Sequence, residues 1–120
     1  MTAARILAVA VDCHRPEPLA EFWAAAMGGA KTRSWTDSHG RTYHQVDFDD
    51  GPALLFQPVP EEKTVKNRLH LDLTPVGRDQ RSEVERLVVL GAKVLADPPD
   101  DPWIVLADPE GNEFCVLPPR

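Results

Sequence analysis

Three side chains with metal-ligating or nucleophilic chemistry fall in the second half of the chain. The run Arg68-Leu-His-Leu-Asp-Leu-Thr74 alternates leucines with polar residues, so His70 and Asp72 share one face of a predicted strand. Cys115 follows the turn-forming run Asp108-Pro-Glu-Gly-Asn112 in an apolar strand. Imidazole, carboxylate and thiolate groups all bind divalent cations, and a thiolate is also a nucleophile. Cys115 therefore has three interpretations: a metal ligand, a reactive thiol, or a small apolar filler.

Two further residues are candidates for a ligand-binding cleft. His44 lies in a predicted strand, but the sequence leaves open which face of that strand it occupies. Trp103 follows the proline- and aspartate-rich loop 97–102, where its ring could stack on a planar or cationic ligand or pack beneath the loop. As a nucleophile, Cys115 would need a lowered pKa, and His70 is its candidate partner.

Length and charge exclude several classes of protein. The chain has 120 residues and a formal net charge of −6, which predicts one domain and argues against nucleic acid or anionic membranes as partners. The apolar run Ile6–Val11 is too short for a signal peptide or a membrane span, so we expect a cytoplasmic protein. Two cysteines, Cys13 and Cys115, provide no disulfide framework.

The first half of the chain predicts a strand, a helix and three strands. The strand covers Ile6–Val11, and a helix begins near Pro16 and ends at Gly28-Gly29. One helical face is apolar at the expected spacing, with Leu19, Phe22, Trp23, Ala26 and Met27. The three strands that follow are predicted at Ala30–Thr36, Thr42–Phe48 and Ala53–Gln57.

The second half repeats this order. The strand Arg68–Thr74 precedes a helix for which Ser82–Glu85 resembles a capping box. Gly91-Ala-Lys93 follows that helix as Gly29-Ala-Lys31 follows the first, and the same offset places Ala8 opposite His70. The three closing strands are predicted at Lys93–Ala96, Trp103–Ala107 and Phe114–Leu117.

The repeat predicts an α+β fold of two βαβββ modules forming an open half-barrel cleft. Module one covers residues 5–58, the linker 59–66 and module two 67–118. The polar face of the strand with His70 points into the predicted cleft, which is the expected place for a ligand.

The chain resembles the glyoxalase-like branch of the vicinal oxygen chelate superfamily, also called the glyoxalase/bleomycin-resistance fold. The resemblance is carried by three runs together with the repeated βαβββ order: Leu19-Ala-Glu-Phe-Trp-Ala-Ala-Ala-Met-Gly28, Asn67-Arg-Leu-His-Leu-Asp-Leu73 and Asp108-Pro-Glu-Gly-Asn-Glu-Phe-Cys-Val-Leu117. It implies a small-molecule ligand, and a homodimer is expected because members of the superfamily often pair.

In metal-dependent members, four His or Glu side chains from both modules hold one divalent ion. The resemblance places Ala8, Gln57, His70 and Cys115 at those positions. Alanine cannot bind a metal and a glutamine amide is a weak neutral ligand, so only His70 is an ordinary ligand at its place. We therefore expect no cofactor; a divalent metal, if bound, would use His70 with Gln57 and Cys115, or with Asp72.

The leading functional hypothesis is a protein that binds a small molecule without the family's metal quartet, for sequestration or for metal-free chemistry. Its expected cleft residues are Gln57, His70, Asp72, Cys115, Trp103 and His44. The alternative hypothesis is a metal-dependent lyase, isomerase or dioxygenase of the same superfamily. A third is an interaction module in which paired chains matter more than the cleft.

Overall fold

The computed structural model describes residues 3–120 as two compact units, with the division after Glu61, inside the predicted linker 59–66. Each unit is a βαβββ module, as predicted, and the fold is α+β. The first contains β1 (Ala8–Cys13), α1 (Pro16–Ala26), β2 (Lys31–Thr36), β3 (Thr42–Asp47) and β4 (Ala53–Pro58). The second contains β5 (Asp72–Leu73), α2 (Gln80–Leu90), β6 (Lys93–Ala96), β7 (Ile104–Ala107) and β8 (Glu113–Val116). Neither described helix is long and apolar enough to cross a bilayer.

The sheet of the first unit has the strand order β1-β4-β3-β2, in which β1 and β4 are parallel and the other pairs antiparallel. Side chains alternate between its two faces. Val46, Leu54 and Phe56 lie on the face that α1 covers and are almost completely buried. We call the opposite side, turned away from the helix of the same unit, the open face.

The second unit has the same architecture, with the order β5-β8-β7-β6 and a parallel β5–β8 pair. Its helix-covered face is strongly apolar and contains Ile104, Leu106, Phe114 and Val116, each no more than 3% exposed. Val105 and Cys115 pair with each other on the open face. The parallel pairing of the first and last strands of a unit therefore determines which side chains meet at that face.

Strand β5 is much shorter than the sequence predicted. The leucine alternation predicted a strand over 68–74, but only Asp72 and Leu73 are paired, and Leu69 is 86% exposed. The chain bends at residues 68–69, and the backbone N–H of Asn67 donates to the Glu113 carboxylate instead of to a strand partner. Strand β8 begins only at Glu113, two residues before the partner of Asp72, so the residues before His70 have no register partner in that strand.

The starts of β1 and α2 also differ from the prediction. Strand β1 begins two residues later than Ile6, because its partner β4 starts only at Ala53, after a proline that has no N–H to donate. Helix α2 is capped by Asp79, whose carboxylate accepts from the backbone N–H of Ser82 at 2.7 Å, and not by a capping box at Ser82.

The turn at residues 108–112 sets the β7–β8 register. Asp108 is buried, and its carboxylate accepts from the backbone N–H groups of Glu110 and Asn112 at 2.9 and 3.0 Å. Gly111 has φ +89°, a conformation that glycine adopts readily and other residues avoid. Ala107 consequently faces Glu113, and Cys115 takes its place opposite Val105.

Replacing Asp108 by alanine is expected to destabilise the protein by about 1–3 kcal/mol, because buried donors of the turn lose a charged acceptor. The measurement is the free energy of unfolding from urea denaturation. Asp50→Ala is the matched control, since Asp50 is an exposed acid in another loop and should change stability by no more than about 0.5 kcal/mol. Equal stabilities of the two variants would contradict the role given to Asp108.

Candidate functional site

The structure brings His70, Asp72 and Cys115 together in the second unit. His70 Nδ1 lies 3.2 Å from Asp72 Oδ1, and the ligand atoms of the three residues are all within 4.8 Å of one another. The side chains of His70 and Asp72 are 40% and 51% exposed, whereas Cys115 is 8% exposed. A ligand can therefore approach through the imidazole and the carboxylate, with the thiol at the base of the site.

Backbone pairing between β5 and β8 creates this cluster. Asp72 is the register partner of Cys115, and the two flanking hydrogen bonds run from Cys115 N to Leu71 O at 2.9 Å and from Leu117 N to Leu73 O at 2.7 Å. Side chains of directly paired residues lie on the same face of a sheet. The carboxylate and the thiol are thus adjacent because of backbone geometry.

The segment before His70 is attached to the first residue of β8. Glu113 accepts from Lys63 Nζ at 3.1 Å and from the backbone N–H of Asn67 at 3.0 Å. Both the Lys63 and the Glu113 side chains are mostly buried, at 26% and 15% exposure. These contacts hold the chain close to β8 just before the bend that precedes His70.

Burial raises the pKa of the Cys115 thiol, and the negative charge of Asp72 and its hydrogen bond with the thiol raise it further. The positive charge of Lys66 acts in the opposite direction. The thiol is therefore mostly protonated at neutral pH and donates to the Asp72 carboxylate. This arrangement disfavours the nucleophile interpretation, because a reactive cysteine needs a lowered pKa.

The first unit has the same backbone arrangement with different side chains. Asp12 pairs with Gln57 as Asp72 pairs with Cys115, and Gln57 Nε2 donates to Asp12 Oδ1 at 3.3 Å. The bond from Val59 N to Cys13 O corresponds to that from Leu117 N to Leu73 O. An aspartate therefore occupies equivalent places in both units.

This register corrects the repeat alignment. With Asp12 equivalent to Asp72, the residue that corresponds to His70 is Ala10, two places after the predicted Ala8. The reason is that the loop between first strand and helix is longer in the second unit, so the glycine match after the helices does not carry back to the strands. The side chain at the corrected position is again an alanine.

The family's four-residue metal set does not fit this chain. Alanine occupies the first position under either alignment, and Gln57 offers only an amide already bonded to Asp12. Cys115 brings a sulfur where the family pattern has a carboxylate. The donor set that does converge, with His70, Asp72 and Cys115, belongs entirely to the second unit.

Two further expected cleft residues are His44, in the first unit, and Trp103, in the second. His44 pairs with Ser34 and Phe56, which places it on the helix-covered face, away from the open face with Gln57. This corrects the expectation that His44 lies in the ligand-binding cleft. Its side chain is on the same face of the sheet as the buried residues Val46 and Phe56. Trp103 lies just before β7 and is 40% exposed, and its place beside a ligand stays a prediction.

The sequence reasoning missed two features near the open faces. Trp35 stacks on Tyr43 with ring centroids 5.8 Å apart, and the guanidinium of Arg33 lies 5.5 Å from the Trp35 ring. The alternation of Lys31, Arg33 and Trp35 with small hydroxyl residues was the available signal. Lys66 was also missed, because it acts on the pKa of Cys115, a residue far from it in the sequence.

Raised basicity of the Cys115 thiol is testable by alkylation. In chelator-treated protein, the rate of iodoacetamide labelling at Cys115, followed by peptide mass spectrometry, should rise with an apparent pKa above that of an ordinary cysteine. Asp72→Asn removes a nearby negative charge and should lower that pKa, so labelling at neutral pH becomes faster. Asp12→Asn in the first unit is the matched control. A pKa at or below the ordinary value in the unmodified chain would contradict the assignment.

Solved structures with a similar fold include three from the same superfamily. A fosfomycin resistance protein, FosX, from Listeria monocytogenes has a TM-score of 0.76 at 12% identity, covering 100% of this chain and 96% of that one. Trypanothione-dependent glyoxalase I from Leishmania major gives 0.69 at 12% identity, with 96% and 86% covered. A glyoxalase/bleomycin resistance protein/dioxygenase family enzyme from Burkholderia phytofirmans gives 0.65 at 17% identity, with 94% and 97% covered.

These similarities extend over nearly the whole chain and confirm the predicted fold. A search of curated proteins found no significant match. A family model described as the glyoxalase-like domain matches residues 8–117. The chain therefore belongs to the glyoxalase-like domain family.

Proposed function

We propose that this protein binds a small molecule at the open face of the second unit, through His70 and Asp72, without the family's metal quartet. The observation that carries the proposal is the polar cluster itself. His70 and Asp72 are accessible and in contact with each other, and the pairing of β5 with β8 places the buried thiol of Cys115 beside Asp72. At the equivalent positions of the first unit, Ala10 has no polar side chain and the Gln57 amide is already bonded to Asp12. That unit therefore has fewer polar groups for a ligand to bind.

The chemistry of the cluster indicates what a ligand would meet. The Nδ1 atom of the His70 ring contacts Asp72, so Nε2 is the nitrogen that would donate to or accept from a ligand. The Asp72 carboxylate accepts hydrogen bonds and favours a hydroxyl or a cationic nitrogen on the ligand. Lys66 supplies a positive charge nearby. A small polar molecule with donor and acceptor groups next to each other fits these features.

The test is a fragment-binding experiment on the isotopically labelled, chelator-treated full chain. Small polar fragments should shift the amide resonances of residues 70–73 and 113–116, and His70→Ala should weaken binding by about tenfold, corresponding to about 1.4 kcal/mol. His39→Ala is the matched control, since His39 lies in an exposed turn of the first unit. Fragments that bind elsewhere only, or equally well to His70→Ala, would contradict the proposal.

A second candidate function is a metal-dependent lyase, isomerase or dioxygenase. It is favoured by His70 at a family ligand position and by the convergence of three donor atoms. Among the structural neighbours, FosX from Listeria monocytogenes was solved with Mn(II) and 1S,2S-dihydroxypropylphosphonic acid. In this function the ion would polarise a substrate oxygen while the chain's own residues hold and orient the substrate.

Thermal stability in the presence of divalent cations tests the second candidate. A cation at a hundred times its Kd should stabilise the folded chain by about 2.7 kcal/mol, and His70→Ala should abolish the effect. The absence of stabilisation by Mn²⁺, Fe²⁺, Ni²⁺, Co²⁺ and Zn²⁺ would contradict it.

A homodimer and a cytoplasmic location belong to the leading proposal, and sedimentation at several concentrations tests whether the chain forms a homodimer.

A further inference from the structure

The donor atoms of the second unit are spaced for a small tetrahedral cation. In a tetrahedral zinc site, bond lengths of about 2.0–2.3 Å place neighbouring ligand atoms about 3.5 Å apart. His70 Nδ1 and Asp72 Oδ1 are already 3.2 Å apart, and all ligand atoms of His70, Asp72 and Cys115 lie within 4.8 Å of one another. The separations are therefore close to those of a tetrahedral site.

The types of donor select the metal. One sulfur, one nitrogen and one oxygen donor suit borderline cations such as Zn²⁺ and Co²⁺, whereas Mn²⁺ and Mg²⁺ prefer oxygen ligands. Three protein ligands leave a fourth tetrahedral position open, as in catalytic zinc sites. The family pattern has nitrogen and oxygen donors only, so the sulfur of Cys115 would shift the preference of the site toward thiophilic cations.

Backbone pairing between β5 and β8 brings these donors together. Asp72 and Cys115 are register partners, and the bonds from Cys115 N to Leu71 O and from Leu117 N to Leu73 O fix their strands. Asn67 is bound to Glu113 on the other side of the bend, so His70 is held between two anchored positions. The equivalent place in the first unit has Ala10, Asp12 and Gln57, which do not form such a set.

We propose that the second unit binds a thiophilic divalent cation of the zinc type through His70, Asp72 and Cys115, with no ligand from the first unit. On binding, a zinc–sulfur bond forms, the Cys115 S–H bond breaks, and the proton passes to solvent. No electron is transferred. This inference deepens the second candidate function but does not require that the protein be an enzyme.

Cobalt is the probe, because Co²⁺ binds zinc sites and reports sulfur ligation by a thiolate-to-cobalt charge-transfer band. The unmodified full chain, chelator-treated and then titrated with Co²⁺, should develop that band at one equivalent, and added Zn²⁺ should remove it. Cys115→Ser should abolish the band. His70→Ala and Asp72→Asn should each weaken Zn²⁺ affinity by at least about tenfold, since even outer partners of metal ligands contribute that much.

Matched controls come from the first unit. Cys13→Ser removes the other buried thiol, and Asp12→Asn removes the equivalent aspartate; both should retain the band and the affinity. Circular dichroism checks that Cys115→Ser is folded, and Asp72→Asn, with its thiol intact, tests the site if it is not. No charge-transfer band in the unmodified chain, or a band that disappears with Cys13→Ser alone, overturns the inference. Fragment binding to the metal-free chain is measured separately, so either proposal can fail without the other.

Discussion

The parallel pairing of β5 with β8 is the interaction on which the site depends. Only two residues of β5 are paired, yet their register places Asp72 beside Cys115 on the face that α2 leaves open. The strand is so short that its position relies on neighbouring contacts: the turn at residues 108–112 on one side and the attachment of Asn67 to Glu113 on the other. The carboxylate and the thiol are held together by the two backbone hydrogen bonds between these strands.

The two units show how one backbone arrangement supports different chemistry. An aspartate from the first strand faces a residue of the last strand in both, but the facing residue is Gln57 in one and Cys115 in the other. An amide donates a neutral hydrogen bond to its aspartate, whereas a thiol can also exchange its proton for a metal ion. The first unit has Ala10 at the position where the second has His70, so it lacks the third donor. Chemistry is therefore concentrated in the second unit.

Much of the fold could be predicted from the sequence because its signals are local. The apolar face of α1, the glycines after both helices and the turn at residues 108–112 depend on neighbouring residues, and the βαβββ order follows from them. The length of β5 could not be predicted in this way. Its leucine alternation indicated a long strand, but its partner β8, distant in sequence, begins only at Glu113 and leaves the earlier residues without a partner in that strand.

The site was predictable in part, for the same physical reason. Alternation alone placed His70 and Asp72 on one face, and the turn placed Cys115 in the closing strand. The register between β5 and β8 is a long-range property, so the sequence paired Cys115 with His70 and Gln57 and gave Asp72 a smaller role. The face of His44 depended on its pairing with Phe56, and the influence of Lys66 on the pKa of Cys115 joins two residues far apart in the sequence.

The central claim is that the second unit alone assembles a site in which sulfur stands beside nitrogen and oxygen donors. X-ray absorption at the zinc edge of the zinc-loaded full chain tests it most directly. We predict one sulfur at about 2.3 Å together with nitrogen or oxygen neighbours at about 2.0–2.2 Å. A first shell of nitrogen and oxygen without sulfur would contradict the account.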